Sequence, residues 1–140
     1  MKKITTLFLL AASVISCKKP KKECSINTAD LSGTYRFAAY TYKQSPTSTE
    51  QDYYTILFPN VCNRDDEVTF NANGTYQKAD VGVVCNPPEN DNGTWSVSGN
   101  NMTVDGEVLI VKSFDCNTLV IASVDFNIPG DTLKLTLAKK

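Results

Sequence analysis

Beyond residue 24 the chain consists of short stretches in which apolar and polar residues alternate, separated by clusters of glycine, asparagine and aspartate. Alternation with a period of two is typical of β-strands that bury one face, and helical periodicity is almost absent. Eight strands are predicted, at residues 33–42, 67–71, 75–80, 93–98, 102–105, 107–114, 118–126 and 131–138. Because tight turns join most neighbours, we expect an all-β domain whose strands are antiparallel and adjacent in chain order.

A glycine-threonine-aromatic motif occurs three times, as Gly33-Thr-Tyr35, Gly74-Thr-Tyr76 and Gly93-Thr-Trp95. In each copy the glycine ends a turn, the threonine opens a strand, and the aromatic side chain is predicted to point into the core. Alternation from these positions predicts further inward side chains, namely Phe37, Ala39, Val68, Phe70, Val97, Leu133, Leu135 and Leu137. Residues 108–114 and 119–124 are apolar on both faces, so we expect the N-terminal segment or a partner to cover their outer side.

The segment Leu31-Ser-Gly33-Thr-Tyr35 resembles the Gly-x-Trp motif of lipocalins, with tyrosine in place of tryptophan. Residues 68–76, Cys85 and residues 93–98 are similar to the small lipocalin-like lipoproteins of Gram-negative bacteria. This resemblance spans about residues 31–139 and implies an eight-stranded, up-and-down lipocalin-like barrel over residues 31–140. Only the fold is taken from the resemblance, since function depends on the site rather than on the fold.

The N-terminus has the order of a secretory signal: Lys2 and Lys3, then an apolar run over residues 4–15, then a small residue. The run is shorter than the ~20 apolar residues that span a bilayer. Its end, Val14-Ile-Ser-Cys17, resembles the lipobox of bacterial lipoproteins, in which the cysteine receives a lipid and the peptide is cut just before it. The alternative is an ordinary cleavable signal in which Cys17 has no such role.

The lipobox resemblance implies a signal peptide at residues 1–16, a lipid on Cys17 and a tether at residues 17–30. We therefore expect the membrane to be a partner through that lipid, and the protein to lie in the bacterial cell envelope, at the outer membrane, facing the periplasm or the surface. Four lysines of the tether add attraction to an anionic leaflet, or serve only as a soluble linker: Lys18, Lys19, Lys21 and Lys22.

Charge and composition argue against several functions. Residues 24–140 carry eight basic and fourteen acidic side chains, so we expect no nucleic-acid partner. The sequence has no histidine, which removes the commonest metal ligand and the usual general base. We therefore expect no enzyme activity, no metal and no cofactor. The acidic run Asp65-Asp66-Glu67 is predicted to be a solvated strand start.

With Cys17 assigned to lipid, four cysteines remain, at positions 24, 62, 85 and 116. An even number in an exported chain indicates two disulfides, and the lack of a Cys-x-x-Cys pair disfavours zinc. In an up-and-down barrel the connections alternate between the two ends, which places Cys24 with Cys116 at one end and Cys62 with Cys85 at the other. Of the three possible pairings, this favours Cys24–Cys116 and Cys62–Cys85.

The longest connection, residues 43–60, is polar in its first half and apolar in its second, and it lies at the end away from the tether. Long loops in compact domains are often lids or binding segments. We predict that Tyr53, Tyr54 and Phe58 cap a pocket mouth, with Tyr42 and Phe126 at its rim, around a small apolar or amphipathic ligand. Alternatively, the apolar patch plugs a filled barrel, and the protein is an interaction or inhibitor module for another envelope protein.

Overall fold

The computed structural model describes residues 23–140, which form nine strands and three short helical segments. The strands are β1 (Gly33–Lys43), β2 (Gln51–Asp52), β3 (Glu67–Phe70), β4 (Thr75–Ala79), β5 (Asp91–Ser98), β6 (Asn101–Val104), β7 (Glu107–Phe114), β8 (Thr118–Val124) and β9 (Thr132–Lys139). The helical segments are α1 (Thr28–Leu31), α2 (Tyr54–Leu57) and a 3₁₀ turn (Val61–Asn63).

Strands β3 to β9 pair in chain order, and β1 pairs with both β3 and β9, so eight strands close into a barrel. All pairings are antiparallel. The predicted all-β, eight-stranded, up-and-down barrel is confirmed. The two-residue β2, which extends the sheet beside the end of β1, and the helical segments were not predicted from the sequence.

The turn residues explain why neighbouring strands fold back at once. Between β3 and β4, Gly74 has φ +84° and its N–H donates to the Asn71 carbonyl, 3.1 Å away. This is the type I turn followed by a left-handed glycine. Between β6 and β7, Asp105 and Gly106 have φ +48° and +88°, as a type I′ turn requires.

A bulge at Ala38 changes the face of every later residue on β1. Phe37 pairs with Leu137, but the next pairs along the strand are Ala39 with Thr136 and Tyr40 with Leu135. A bulge inserts one unpaired residue, which reverses the alternation beyond it. The prediction that Ala39 faces inward is therefore wrong, and Tyr40 takes the inward position beside Leu135.

One end of the barrel, here called the base, is filled by buried side chains. Leu31 and Tyr35 are fully buried there, and the Tyr35 hydroxyl donates to the Leu31 carbonyl at 2.7 Å. Trp95 donates its indole N–H to the Asn71 carbonyl at 2.9 Å. Both aromatic polar groups are thus satisfied, as burial requires. The buried core that continues from the base towards the opposite end comprises Val68, Phe70, Tyr76, Met102, Val111, Leu119, Ile121 and Leu137.

The cysteines meet in the two pairs that the barrel ends favour. The Cα atoms of Cys24 and Cys116 lie 5.4 Å apart at the base, and those of Cys62 and Cys85 lie 5.2 Å apart at the opposite end, here called the mouth. Both distances suit a disulfide. The first pair ties the segment before α1 to the β7–β8 turn, and the second joins the long β2–β3 connection to the β4–β5 connection.

The run Asp65-Asp66-Glu67 differs from the predicted solvated strand start. Asp66 is fully buried and pairs with Lys78 at 3.0 Å, while Asp65 accepts the N–H of Val83 at 2.8 Å. The Glu67 carboxylate forms ion pairs with Arg36 and Lys140. The prediction of a solvated run is therefore wrong: the three carboxylates each join β3 or its preceding loop to another segment.

The predicted signal peptide, the lipid site Cys17 and the tether lysines lie outside the described residues. Within residues 23–140, no helix has the length and apolar character needed to cross a bilayer. The signal peptide, the lipidation and the tether boundaries stay predictions.

Candidate functional site

Two adjoining cavities lie inside the barrel on its mouth side. The outer chamber has a volume of about 180 Å³ and the inner chamber about 220 Å³. Leu109, Ile121 and Leu135 line both chambers, so the two share a wall. The outer chamber also includes Tyr40, Glu107, Ser123, Phe126 and Leu133. The inner one is bounded further by Phe37, Val68, Phe70, Tyr76, Lys78 and Asp91. Unlike the base, the mouth half of the barrel is therefore not filled.

The long mouth loop folds back against β1 through an aromatic cluster. The Phe58 ring centroid lies 5.8 Å from that of Phe37 and 5.0 Å from that of Tyr40. Tyr54 lies 6.1 Å from Tyr40, and its hydroxyl donates to the Arg64 carbonyl at 2.8 Å. Because Phe37 and Tyr40 line the chambers, α2 and Phe58 support the chamber wall from the loop side.

Tyr42 and Tyr53 form a separate contact at the mouth, with ring centroids 4.8 Å apart. The Tyr42 hydroxyl donates to the fully buried carboxylate of Asp131 at 2.9 Å. Backbone N–H groups of Asn127 and Ile128 donate to the same carboxylate. Although burial opposes ionisation, these hydrogen bonds hold the pKa of Asp131 below its ordinary value, and the bond to Asp131 raises the pKa of Tyr42.

The five ligand residues predicted from the sequence all lie at the mouth, but in different positions. Phe126 lines the outer chamber, Tyr54 and Phe58 pack behind Tyr40, and Tyr42 contacts Tyr53. The assignment of these five residues to ligand binding stays a prediction.

Tyr40 is a chamber residue that the sequence prediction missed, because strict alternation from Tyr35 and Phe37 placed it outside. A usable signal exists: the aromatic pairs 35, 37 and 40, 42 each alternate, but they are out of phase by one residue. Burial, and then the nearby Tyr54, raise the pKa of the Tyr40 hydroxyl, which therefore stays protonated at neutral pH.

The charged groups of the inner chamber already have partners. Lys78 pairs with Asp66 at 3.0 Å. The Tyr76 hydroxyl lies 2.6 Å from a carboxylate oxygen of Asp105 and 3.2 Å from one of Asp91. The bond to Asp105, followed by burial, raises the pKa of Tyr76, and the same bond lowers the pKa of Asp105.

Gly93 makes room for this arrangement. A Cβ atom on Gly93 would lie against the Asp105 carboxylate, which also accepts the N–H of Thr94 at 2.8 Å. Asp105 thereby joins the β6–β7 turn to β5, so the glycine of the third glycine-threonine-aromatic motif has a packing role at the mouth.

The model of the lipocalin-like domain matches residues 31–135, three quarters of the chain and nearly all of the barrel. The chain belongs to the lipocalin-like domain family. No curated protein matches it. In this lipocalin-like domain the matched residues include β1 to β8, the first half of β9 and every residue that lines the chambers except Leu137. Within residues 23–140, no group of three or more His, Cys, Asp or Glu side chains is placed to hold a metal ion.

Proposed function

We propose that the protein binds a small apolar or amphipathic molecule in the two chambers, without catalysing a reaction. The observation that carries the proposal is the pair of adjoining, mainly apolar cavities inside the barrel, at about 180 and 220 Å³. Together they reach the lower part of the ~300–1,000 Å³ range of small-molecule sites. Membership of the lipocalin-like family supports a barrel that encloses a ligand.

The test compares a variant whose barrel interior is filled by a bulky side chain with a matched variant that carries the same side chain on the outer face of the barrel. Leu109→Trp places a bulky ring in both chambers, whereas Val108→Trp adds the same ring to the outer face, where Val108 is 53% exposed. The two sites are adjacent on β7 and occupy opposite faces of the strand. Circular dichroism and thermal melting check that both variants keep the fold.

Binding is measured by the fluorescence of an environment-sensitive lipophilic probe. We expect wild type and Val108→Trp to bind the probe and Leu109→Trp to lose most of the binding. If wild type binds no lipophile, or if folded Leu109→Trp binds as well as wild type, the proposal fails.

We propose further that the lipid on Cys17 anchors the barrel to the outer membrane of a bacterial envelope. The lipobox-like end of the signal supports this, as does the Cys24–Cys116 pair, which holds residue 24 of the predicted tether at the base, opposite the mouth. Cys17→Ala should move the protein out of the membrane fraction or stop its maturation. A variant that still remained with salt-washed membranes would contradict the lipid anchor.

A second function is favoured by the outer face of β7 and β8. Val108 and Val124 are 53% and 49% exposed there, beside the half-buried Ile110 and Val120. Exposed apolar stripes are typical of protein contacts, which suits an interaction module for an envelope protein. A photo-crosslinker at position 108 should then capture a protein in the native host, whereas one at the exposed Ser96 of β5 should not.

A further inference from the structure

We propose that the outer chamber selects amphipathic ligands with a positively charged head group, and that this head group pairs with the carboxylate of Glu107. The inference rests on the proposed binding function and adds the chemical class of the ligand. Glu107 is the first residue of β7 and lines the outer chamber with Tyr40, Ser123 and Phe126. Glu107 is exposed at the mouth, and the other side chains that line this chamber are uncharged.

The charges that line the two chambers favour a ligand with a positively charged head group. Three charged side chains line them, and the single base, Lys78, is paired with the buried Asp66 at 3.0 Å. Asp91 lies within hydrogen-bond distance of the Tyr76 hydroxyl and accepts the N–H of Asn92. Within residues 23–140, Glu107 accepts a hydrogen bond only from the Ser123 hydroxyl, at 3.3 Å, and no basic side chain forms an ion pair with it.

The neighbours of Glu107 suit an ammonium head as well. Tyr40 lines the same chamber and offers both an aromatic face and a protonated hydroxyl, neither of which repels a cation. The shared wall of Leu109, Ile121 and Leu135 continues into the inner chamber, which accepts the apolar body of the ligand. An anionic head in the outer chamber would lie beside Glu107, and among the described residues that line the two chambers no unpaired basic side chain compensates for the repulsion.

Three fluorescent probes with the same dansyl-alkyl body, ending in a primary ammonium, an alcohol or a carboxylate, test the head-group preference. We expect wild type to bind the ammonium probe most tightly and the carboxylate probe least tightly. Glu107→Gln should reduce the ammonium-to-alcohol affinity ratio about tenfold, equivalent to ~1.4 kcal/mol. Asp52→Asn is the matched control: it removes a carboxylate from the mouth, but from an exposed residue that lines neither chamber, so the ratio should not change.

The outcomes separate this inference from the binding proposal. If the three probes bind equally and Glu107→Gln leaves the ratio unchanged, the cation preference is wrong while the lumen remains a binding site. If Asp52→Asn lowers the ratio as much as Glu107→Gln does, general acidity of the mouth causes the preference, and the role of Glu107 is overturned. If wild type binds none of the probes, both proposals fail.

Discussion

The Tyr42 hydroxyl donates a 2.9 Å hydrogen bond to the buried carboxylate of Asp131, which links β1 to the β8–β9 connection at the mouth. Backbone N–H groups of that connection reach the same carboxylate, so Asp131 also fixes the loop that carries Phe126. One buried charge therefore holds together two parts of the chamber rim. Removal of this charge should lower the stability of the fold, by an amount that depends on pH.

Asp131→Asn should lower the melting temperature at pH 7. The folded pKa of Asp131 is below the unfolded value of about 3.9, so the ionised group stabilises the fold above that value, and this contribution is lost as the pH falls through the folded pKa. The difference between variant and wild type should therefore shrink in acid. Tyr42→Phe, which removes one of the bonds, should show part of the effect. Equal melting curves for wild type and Asp131→Asn at pH 7 would refute the argument.

The strands and their order could be predicted because their signals are local. Alternation and turn residues such as Asn71, Asp105 and Gly106 specify where each strand ends, and short turns leave antiparallel neighbours as the simple solution. Because the connections of an up-and-down barrel alternate between its two ends, the strand order also assigned two cysteines to each end. These features need no knowledge of distant parts of the chain.

The site was harder to predict because its residues depend on non-local pairing. Tyr40 becomes a lumen residue only because β1 bulges at Ala38 against β9, far away in sequence. The buried charge of Asp66 depends on its ion pair with Lys78, a residue of β4. Glu107 follows a turn on a strand that is apolar on both faces, so alternation alone does not say which face of β7 is the inner one.

Tyr35→Phe should destabilise the protein by about 1–3 kcal/mol in urea unfolding, because the buried Leu31 carbonyl loses its donor. Burial raises the pKa of Tyr35 to about 12, so this tyrosine is a neutral donor at any ordinary pH. Tyr53→Phe is the matched control, since no hydrogen bond of the Tyr53 hydroxyl occurs within residues 23–140, and its effect should be close to zero. Equal effects of the two changes would refute the role assigned to the Tyr35 hydroxyl.

The two cysteine pairs should appear as disulfides in non-reducing peptide mapping, with Cys24 joined to Cys116 and Cys62 to Cys85. The chain-entropy model predicts a loss of about 3 kcal/mol for Cys62→Ser with Cys85→Ser, and of nearly 5 kcal/mol for the pair with the 92-residue separation. A peptide that joined Cys24 to Cys62 would contradict the strand order, because these residues lie at opposite ends of the barrel.

The aromatic support of the chamber wall gives the last prediction. Phe58→Ala removes the ring that contacts Phe37 and Tyr40, so the lipophilic probe should bind more weakly and dissociate faster. Phe58 is only half-buried, and the loss of stability should stay below the ~3–5 kcal/mol of a fully buried phenylalanine. Ile56→Ala, on the same loop but 61% exposed, should leave both properties unchanged. A large drop in melting temperature for Phe58→Ala, together with a wild type that binds no probe, would instead identify the ring as the plug of a filled barrel.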